Sequence, residues 1–124
     1  MLDLDHFKRY NDTWGHAGGD AALRATASLL RTQLRPSDQV ARYGGEEFCL
    51  LLPDTSIEQA RLVADRLIAA TAKHPVSLDP PLPAVSFSLG LAPLSENQGA
   101  EEVLKSADAA LYRAKQAGRN RYAV

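Results

Sequence analysis

A glycine pair between two strand-like segments constrains the fold of this chain most strongly. Residues 38–43 and 48–52 are rich in apolar and β-favouring residues, and the segment 44–47 between them reads Gly-Gly-Glu-Glu. Adjacent glycines favour a tight turn, so this stretch predicts a β-hairpin. Glu46 and Glu47 put two carboxylates at its tip, where glycine also lets a ligand approach the backbone closely.

The rest of the chain alternates between helix and strand patterns. In order, the patterns predict a strand at 1–5, a short helix at 6–14, a turn at 15–19, a helix at 20–34, the hairpin, a helix opened by a capping box at 56–59, a proline-rich loop at 74–83, a strand at 85–91, a helix at 100–117 ended by glycine, and an edge strand at 121–124. This order contains a βαββαβ core, the ferredoxin-like arrangement. We therefore expect an α+β fold with a mainly antiparallel central sheet flanked by helices.

The ferredoxin-like topology places a second group of acids beside the hairpin. The first and second strands of this arrangement run parallel with the third between them, so the hairpin tip lies where the first strand ends. Asp3 and Asp5 finish that strand, and four carboxylates are thus predicted at one edge of the sheet. Converging carboxylates need protons, basic partners or a metal, and oxygen ligands alone suit Mg²⁺ or Mn²⁺. Palm-type polymerase and cyclase sites use such metals to neutralise a triphosphate and activate a ribose hydroxyl.

Composition narrows the functional classes. The 124 residues carry a net charge of −1 and are 45% hydrophobic, which predicts one folded domain over 1–124 and gives no general electrostatic case for binding a nucleic-acid polymer. The single cysteine, Cys49, excludes an internal disulfide and a cysteine-based zinc site. No apolar run reaches membrane-spanning length and no signal peptide is visible, so we expect a soluble domain of a reducing compartment.

Three segments together resemble a known family. They are residues 3–20 (DLDHFKRYNDTWGHAGGD), 42–48 (RYGGEEF) and 107–120 (ADAALYRAKQAGRN). Their order and spacing are similar to the signatures of the GGDEF family of diguanylate cyclases, the second in its accepted Glu variant. The resemblance covers essentially the whole chain. It implies a bacterial, cytoplasmic domain that condenses two GTP molecules into cyclic di-GMP and two pyrophosphates, with one GTP on each domain of a homodimer.

The resemblance also implies the metal and catalytic residues. Asp3 and Glu46 would bind Mg²⁺, with Mn²⁺ as a possible substitute, and the backbone carbonyl of Leu4 would contribute. Glu46 or Glu47 would help to deprotonate the 3′-hydroxyl, and the sequence does not separate these two.

The same resemblance implies that six further residues bind the substrate. An amide and a carboxylate can read both the acceptor and the donor groups of guanine, and basic side chains suit phosphates. The implied guanine-site residues are Asn11, Asp20 and, at its border, His16; the implied phosphate-site residues are Lys8, Lys115 and Arg119.

A second, inhibitory site is implied by an Arg-x-x-Asp sequence upstream of the hairpin. Arg35 and Asp38 stand where the family binds its product, and Arg66 aligns with a secondary arginine of that site. Arginine can stack on guanine and pair with its O6 and N7, while aspartate accepts from the guanine N–H groups. Taken singly, Arg66 is more simply a surface charge on its helix.

The chain departs from the family pattern at its start. Family domains begin earlier, with an Asp-x-Leu-Thr-Gly-Leu-type motif and a helix, and nothing here matches that lead-in. We therefore expect an N-terminally truncated domain. We expect the intact protein to carry a sensory or receiver domain, and it could be membrane-tethered through a region outside this chain.

Two alternatives to an active diguanylate cyclase stay open. The domain could be a catalytically silent receptor for cyclic di-GMP or GTP, or a related cyclase that makes another dinucleotide. Among the aromatic residues, Tyr112 is expected in the core.

Overall fold

The computed structural model describes residues 1–124, which form five strands and three helices. They are β1 (Leu2–Leu4), α1 (Phe7–Gln33), β2 (Gln39–Arg42), β3 (Glu47–Leu51), α2 (Ile57–Thr71), β4 (Phe87–Gly90), α3 (Ala100–Gln116) and β5 (Tyr122–Ala123). None of the helices combines the length and the apolar character that crossing a membrane requires.

The five strands make one sheet in the order β2-β3-β1-β4-β5. All neighbouring pairs are antiparallel except β4 and β5, which run parallel. Because β3 lies between β1 and β2, the hairpin tip falls at the end of the sheet where β1 finishes. The predicted α+β fold with a ferredoxin-like core and a mainly antiparallel sheet is confirmed.

The two faces of the sheet are covered by different helices. Alternate residues of the strands, such as Leu2, Leu4 and Phe87, point into the main core, which α1 and α2 complete. The opposite face carries Asp3 together with a smaller cluster in which Met1 packs against Ala107 of α3. Polar groups of β1 and the end of α3 therefore share one side of the sheet.

The first helix differs from the prediction. The sequence suggested a turn over residues 15–19, but helix runs from Phe7 to Gln33 and is interrupted only at Gly15, whose φ is 74° and ψ is 177°. A positive φ costs glycine little, so a single residue makes the bend and the following residues resume the helix at once. Gly18 and Gly19 are buried inside this helix because they lie against side chains of the preceding segment.

The predicted start of α2 and the predicted end of α3 are confirmed. Ser56 and Gln59 form a capping box, in which the Gln59 N–H donates to Ser56 Oγ (3.2 Å) and the Ser56 N–H donates to Gln59 Oε1 (2.8 Å). At the end of α3, the Gly118 N–H donates to the carbonyl of Lys115 and the Arg119 N–H donates to that of Ala114, which is a Schellman motif.

The core prediction for Tyr112 is wrong, because its side chain is 64% exposed. The buried face of α3 consists of Ala107, Ala110, Leu111 and Ala114. Successive helical residues are rotated by about 100°, so the residue after Leu111 turns away from the sheet.

Candidate active site

The end of β1 and the hairpin meet in register. Asp3 lies directly opposite Glu47 in the antiparallel pair, and the Leu4 N–H donates to the Glu46 carbonyl at 3.2 Å. Side chains directly opposite in such a pair lie within contact distance. Two motifs that are more than forty residues apart in the chain thus place their carboxylates at one point of the sheet.

The hairpin tip is held by an arginine that the sequence analysis did not select. The Arg42 guanidinium donates to the carbonyl of Gly44 at 3.1 Å and to that of Gly45 at 2.8 Å. The turn is closed by the Tyr43 N–H, which donates to the Glu47 carbonyl at 2.8 Å. A basic residue shortly before a glycine pair is the signal that could have identified Arg42, since turn carbonyls without strand partners need a donor.

Asp3 is buried and carries an ion pair. Its side chain is 8% exposed, and Lys115 Nζ from α3 lies 3.0 Å from Oδ2. Burial raises the pKa of the Asp3 carboxyl, and the hydrogen bond and charge of Lys115 oppose that rise. The charge of Asp5 also raises the Asp3 pKa, whereas the charge of Arg119 lowers it, so α3 and the turn after it supply the positive charge of the site.

The surroundings of Glu46 carry more negative than positive charge. Burial raises the pKa of its carboxyl, the charges of Asp3 and Glu47 raise it further, and only Lys115 acts in the opposite direction. A carboxylate whose neighbours are mainly carboxylates is stabilised by any cation that enters. The electrostatics of this edge therefore favour a cationic ligand.

Asp5 lies at the same edge, where its charge acts on Asp3, but its carboxylate is engaged by hydrogen bonds within the chain. Its oxygens accept hydrogen bonds from the hydroxyls of Ser86 and Ser88, both at 2.7 Å, and from the Asn120 N–H at 3.0 Å. Ser88 of β4 lies opposite Asp3, and the Asp5 N–H donates to the carbonyl of Ser86, the residue before β4, so both serines lie within reach of Asp5. The side chain is thereby fully engaged between β1, β4 and the turn after α3.

The donors at this edge fit a hard divalent cation. No three side chains of His, Cys, Asp or Glu are grouped as a self-sufficient metal cage. The buried Asp3 and the partly buried Glu46 instead offer a pair of carboxylates, each of which has other carboxylates among its neighbours. Mg²⁺ is commonly held by one or two carboxylates, its other positions being taken by water and substrate phosphates. Which residues bind the ion stays a prediction.

The bend of α1 brings together two of the predicted guanine-site residues. The side-chain amide of Asn11 lies so close over Gly19 that a Cβ at position 19 would fall on Asn11 Oδ1. Asp20, which is exposed, follows directly. Lys8 and His16 are exposed and form neither an ion pair nor a side-chain hydrogen bond. Their assigned roles stay predictions.

The predicted inhibitory residues form a connected cluster. The Arg35 guanidinium donates to Asp38 Oδ1 at 3.1 Å, to the Pro53 carbonyl at 3.0 Å and to Thr55 Oγ1 at 2.7 Å. Burial acts to raise the pKa of Asp38, but the hydrogen bonds and charge of Arg35, with the charge of Arg66, outweigh it and the net pKa shift is downward. Arg66 is anchored by the Gln33 carbonyl at 2.7 Å. Pro53 and Thr55 were missed by the sequence analysis, because only the fold brings them to Arg35.

An apolar groove of about 790 Å³ lies between α2 and α3, and its walls include Met1, Leu67 and Leu104. Neither Asp3 nor Glu46 lines it. The groove is therefore separate from the acidic edge, which is defined by charge and hydrogen bonding.

Comparison with known proteins gives a consistent picture. The family model "Diguanylate cyclase, GGDEF domain" matches residues 1–121. The chain is 47% identical over 124 residues to the diguanylate cyclase DgcP of Pseudomonas aeruginosa, spanning all of this chain and 18% of DgcP. It is 43% identical over 122 residues to the cyclic di-GMP phosphodiesterase NbdA of the same organism, spanning 97% of this chain and 15% of NbdA.

A solved structure agrees with the fold. The crystal structure of the GGDEF domain of DgcB from Caulobacter crescentus in complex with c-di-GMP superposes with a TM-score of 0.91 at 35% identity, covering 98% of this chain and 73% of that one. The chain thus has the α+β fold of that domain. The chain belongs to the GGDEF domain family of diguanylate cyclases. It spans less than a fifth of the length of the two relatives named above.

Proposed function

We propose that this chain is the catalytic domain of a diguanylate cyclase, which joins two GTP molecules into cyclic di-GMP and releases two pyrophosphates. The observation that carries the proposal is the pairing of Asp3 with Glu47, with Lys115 closing on Asp3 from α3. The three signature segments of the family meet at that point. The relatives at up to 47% identity over the whole chain include a named diguanylate cyclase, which supports the same reaction.

Asp3 and Glu46 would hold the metal in this proposal, with the Leu4 carbonyl as a third ligand and Mg²⁺ as the natural ion. When bound, such an ion neutralises phosphate charge and lowers the pKa of a coordinated hydroxyl. The chain itself contributes these two carboxylates, of which Asp3 is buried, and the Lys115 and Arg119 cations near Asp3. Those cations would bind the triphosphate of GTP, and Lys8 would extend the phosphate site from the start of α1.

Glu46 and Glu47 are the acids proposed to take the proton of the 3′-hydroxyl. A general base must lie within hydrogen-bond reach of the proton that it takes. Glu46 and Glu47 are adjacent where the hairpin enters β3, and the proposal assigns the proton transfer to this pair. The Asn11 amide and the Asp20 carboxylate would read the guanine edge, and His16 would border it.

Each domain would hold one GTP, so the reaction needs two domains facing each other as a homodimer. Each bond links the 3′-oxygen of one GTP to the α-phosphorus of the other, with pyrophosphate leaving each time. Product would bind back at Arg35, Asp38 and Arg66 and inhibit turnover. In the intact protein, a sensory or receiver domain would control the pairing of two such domains in the bacterial cytoplasm.

The test is incubation of the chain with GTP and Mg²⁺ at several protein concentrations, with products separated and identified by mass. We expect cyclic di-GMP, formed at a rate that rises faster than linearly with protein concentration. Glu46→Gln and Glu47→Gln should each lower the rate by at least about a hundredfold. Full activity of both variants would refute the assigned chemistry.

A second candidate function is a receptor for cyclic di-GMP without turnover. It is favoured by one observation among the relatives, because NbdA carries a segment 43% identical to this chain and is named a phosphodiesterase. Arg35→Ala separates the two candidates. In a cyclase this variant relieves product inhibition and keeps turnover, whereas in a receptor it abolishes cyclic di-GMP binding in a chain that makes no product.

A further inference from the structure

The turn after α3 has an unusual backbone. Gly118 has φ 122°, and it is followed by two non-glycine residues with positive φ, Arg119 at 64° and Asn120 at 49°. Consecutive non-glycine residues in this left-handed region are uncommon and persist where surrounding contacts fix them. The contact that fixes this turn should therefore matter for whatever Arg119 does.

That contact is the carboxylate of Asp5. Asp5 Oδ2 accepts the Asn120 N–H at 3.0 Å and the Ser86 hydroxyl at 2.7 Å, while Oδ1 accepts the Ser88 hydroxyl at 2.7 Å. The residue is buried, and both of its oxygens are committed. The two serines orient the carboxylate, so that one oxygen faces the turn.

The same turn belongs to the cationic side of the site. Lys115, in the last turn of α3, bonds Asp3 directly at 3.0 Å, and Arg119 lies in the turn that follows that helix. The Lys115 carbonyl accepts the Gly118 N–H, so the helix end and the turn are one hydrogen-bonded unit. A change in the turn therefore moves Arg119 relative to Asp3.

We propose that Asp5 is a positioning residue for phosphate binding, which holds the 118–120 turn so that Arg119 is presented to the triphosphate beside Asp3. This inference rests on the proposed function. Asp5 acts through the Asn120 N–H and touches neither metal nor nucleotide. The chemistry recognised is that of the GTP phosphates, and the guanine end of the pocket is not involved.

Asp5→Ala tests the proposal, because it removes both carboxylate oxygens and with them the acceptor of the Asn120 N–H. Binding of two probes is measured in the presence of Mg²⁺: a non-hydrolysable GTP analogue and guanosine, which lacks phosphates. We expect the analogue to bind about tenfold more weakly and guanosine to change by less than about twofold. Ser86→Ala is the matched control, since it removes another donor from the same oxygen and leaves the Asn120 contact; it should cost less than about threefold for either probe.

Equal loss of both probes, or no loss of either, would overturn the positioning role. Arg119→Ala separates this failure from failure of the proposed function. If Arg119→Ala leaves analogue binding unchanged, the phosphate assignment is wrong and the inference falls with it. If Arg119→Ala weakens the analogue but Asp5→Ala does not, only the role of Asp5 is refuted.

Hydrogen exchange of the Asn120 amide in the unaltered chain gives a second readout that needs no variant to fold. Exchange should be slow and should become slower with the GTP analogue but not with guanosine. Exchange that is fast in all three states would show that the Asp5 contact does not hold the turn.

Discussion

Lys115 Nζ lies 3.0 Å from Asp3 Oδ2, so a cation of the chain sits on the buried carboxylate that is proposed to bind metal. The ion pair joins the end of α3 to β1, the central strand of the sheet. A metal ion at Asp3 would compete with this ammonium group. Nucleotide phosphates would draw the same group away, so metal and GTP should help each other to bind.

Lys115→Met should therefore change the affinities for metal and nucleotide in opposite directions. Without nucleotide, Mn²⁺ should bind several-fold more tightly, since Asp3 has lost its competing cation. The GTP analogue should bind about tenfold more weakly, since a charge-assisted contact is gone. Titration calorimetry or the paramagnetic signal of free Mn²⁺ gives both numbers. Lys105→Met, at an exposed position of the same helix, is the control; weaker Mn²⁺ binding by Lys115→Met alone would contradict the competition.

Glu46→Gln should stabilise the metal-free fold while it abolishes turnover. The pKa of Glu46 is raised above its usual value of 4.5 in the folded state, so folding favours the protonated acid. The associated stability is present below about pH 4.5 and is lost as the pH rises through the folded-state pKa. At pH 7 with a chelator, the glutamine variant should melt about 2–4 °C higher.

This advantage of Glu46→Gln should shrink as the pH falls toward 4.5, where both proteins carry a neutral side chain. Glu96→Gln removes the same charge from an exposed linker and serves as the comparison. An equal rise in Tm for Glu96→Gln would assign the effect to net charge. A Tm gain that is independent of pH would contradict the electrostatic cause.

Thr55→Val should weaken product inhibition and leave turnover at low product unchanged. The hydroxyl of Thr55 accepts from Arg35 at 2.7 Å and donates to the Pro53 carbonyl at 2.8 Å, so it fixes the guanidinium beside Asp38. Valine keeps the shape and removes both bonds. Cyclic di-GMP should inhibit about five- to tenfold less well, measured as the inhibitor concentration that halves the initial rate.

The control for Thr55→Val is Thr32→Val, an exposed threonine of α1 whose hydroxyl bonds only the nearby Leu29 carbonyl. Thr32→Val should leave inhibition unchanged. Undiminished inhibition of Thr55→Val would show that the Arg35 guanidinium needs no support from this loop.

Gly19→Ala should impair recognition of the base. The added methyl would fall on Asn11 Oδ1, so the amide must leave its place beside Asp20. We expect KM for GTP to rise about tenfold or more and the preference for GTP over ITP to fall, because Asn11 and Asp20 are proposed to read the guanine edge together and ITP lacks its exocyclic amino group. Steady-state rates with both nucleotides measure this.

Gly99→Ala is the counterpart at a glycine where a methyl group meets open space. It lies at the start of α3, outside the proposed nucleotide site, and should leave the ratio of GTP to ITP unchanged. If Gly19→Ala leaves the ratio of the GTP and ITP rates unaltered, Asn11 does not take part in recognising the base.

Local patterns predicted the fold well where they act within one element. The Ser56–Gln59 capping box and the helix stop at Gly118 depend only on neighbouring residues, and both are confirmed. The meeting of Asp3 with the hairpin also followed from sequence, because the topology dictates which strand ends coincide. The turn at 15–19 was overestimated, since one glycine at positive φ suffices to bend α1.

The sequence pattern did not predict the side-chain contacts between different secondary-structure elements. Nothing in the sequence near Asp5 indicates that Ser86 and Ser88 will engage it, because the register of β1 against β4 decides that contact. The same holds for Thr55 and Arg35, which are twenty residues apart. A partial signal existed in the serines that alternate with apolar residues along β4, since buried hydroxyls need partners.

Gly90 has a consequence for how mutations in this domain should be interpreted. A side chain there would overlap the backbone of α3 at the Ala107 carbonyl and the Leu111 N–H, so the helix rests directly on the strand. Any larger residue at position 90 would push α3 away from the sheet near Leu111. Lys115 lies one turn beyond Leu111, so its ammonium group would move away from Asp3. A substitution remote from every nucleotide contact would then appear in an assay as a fault in phosphate binding.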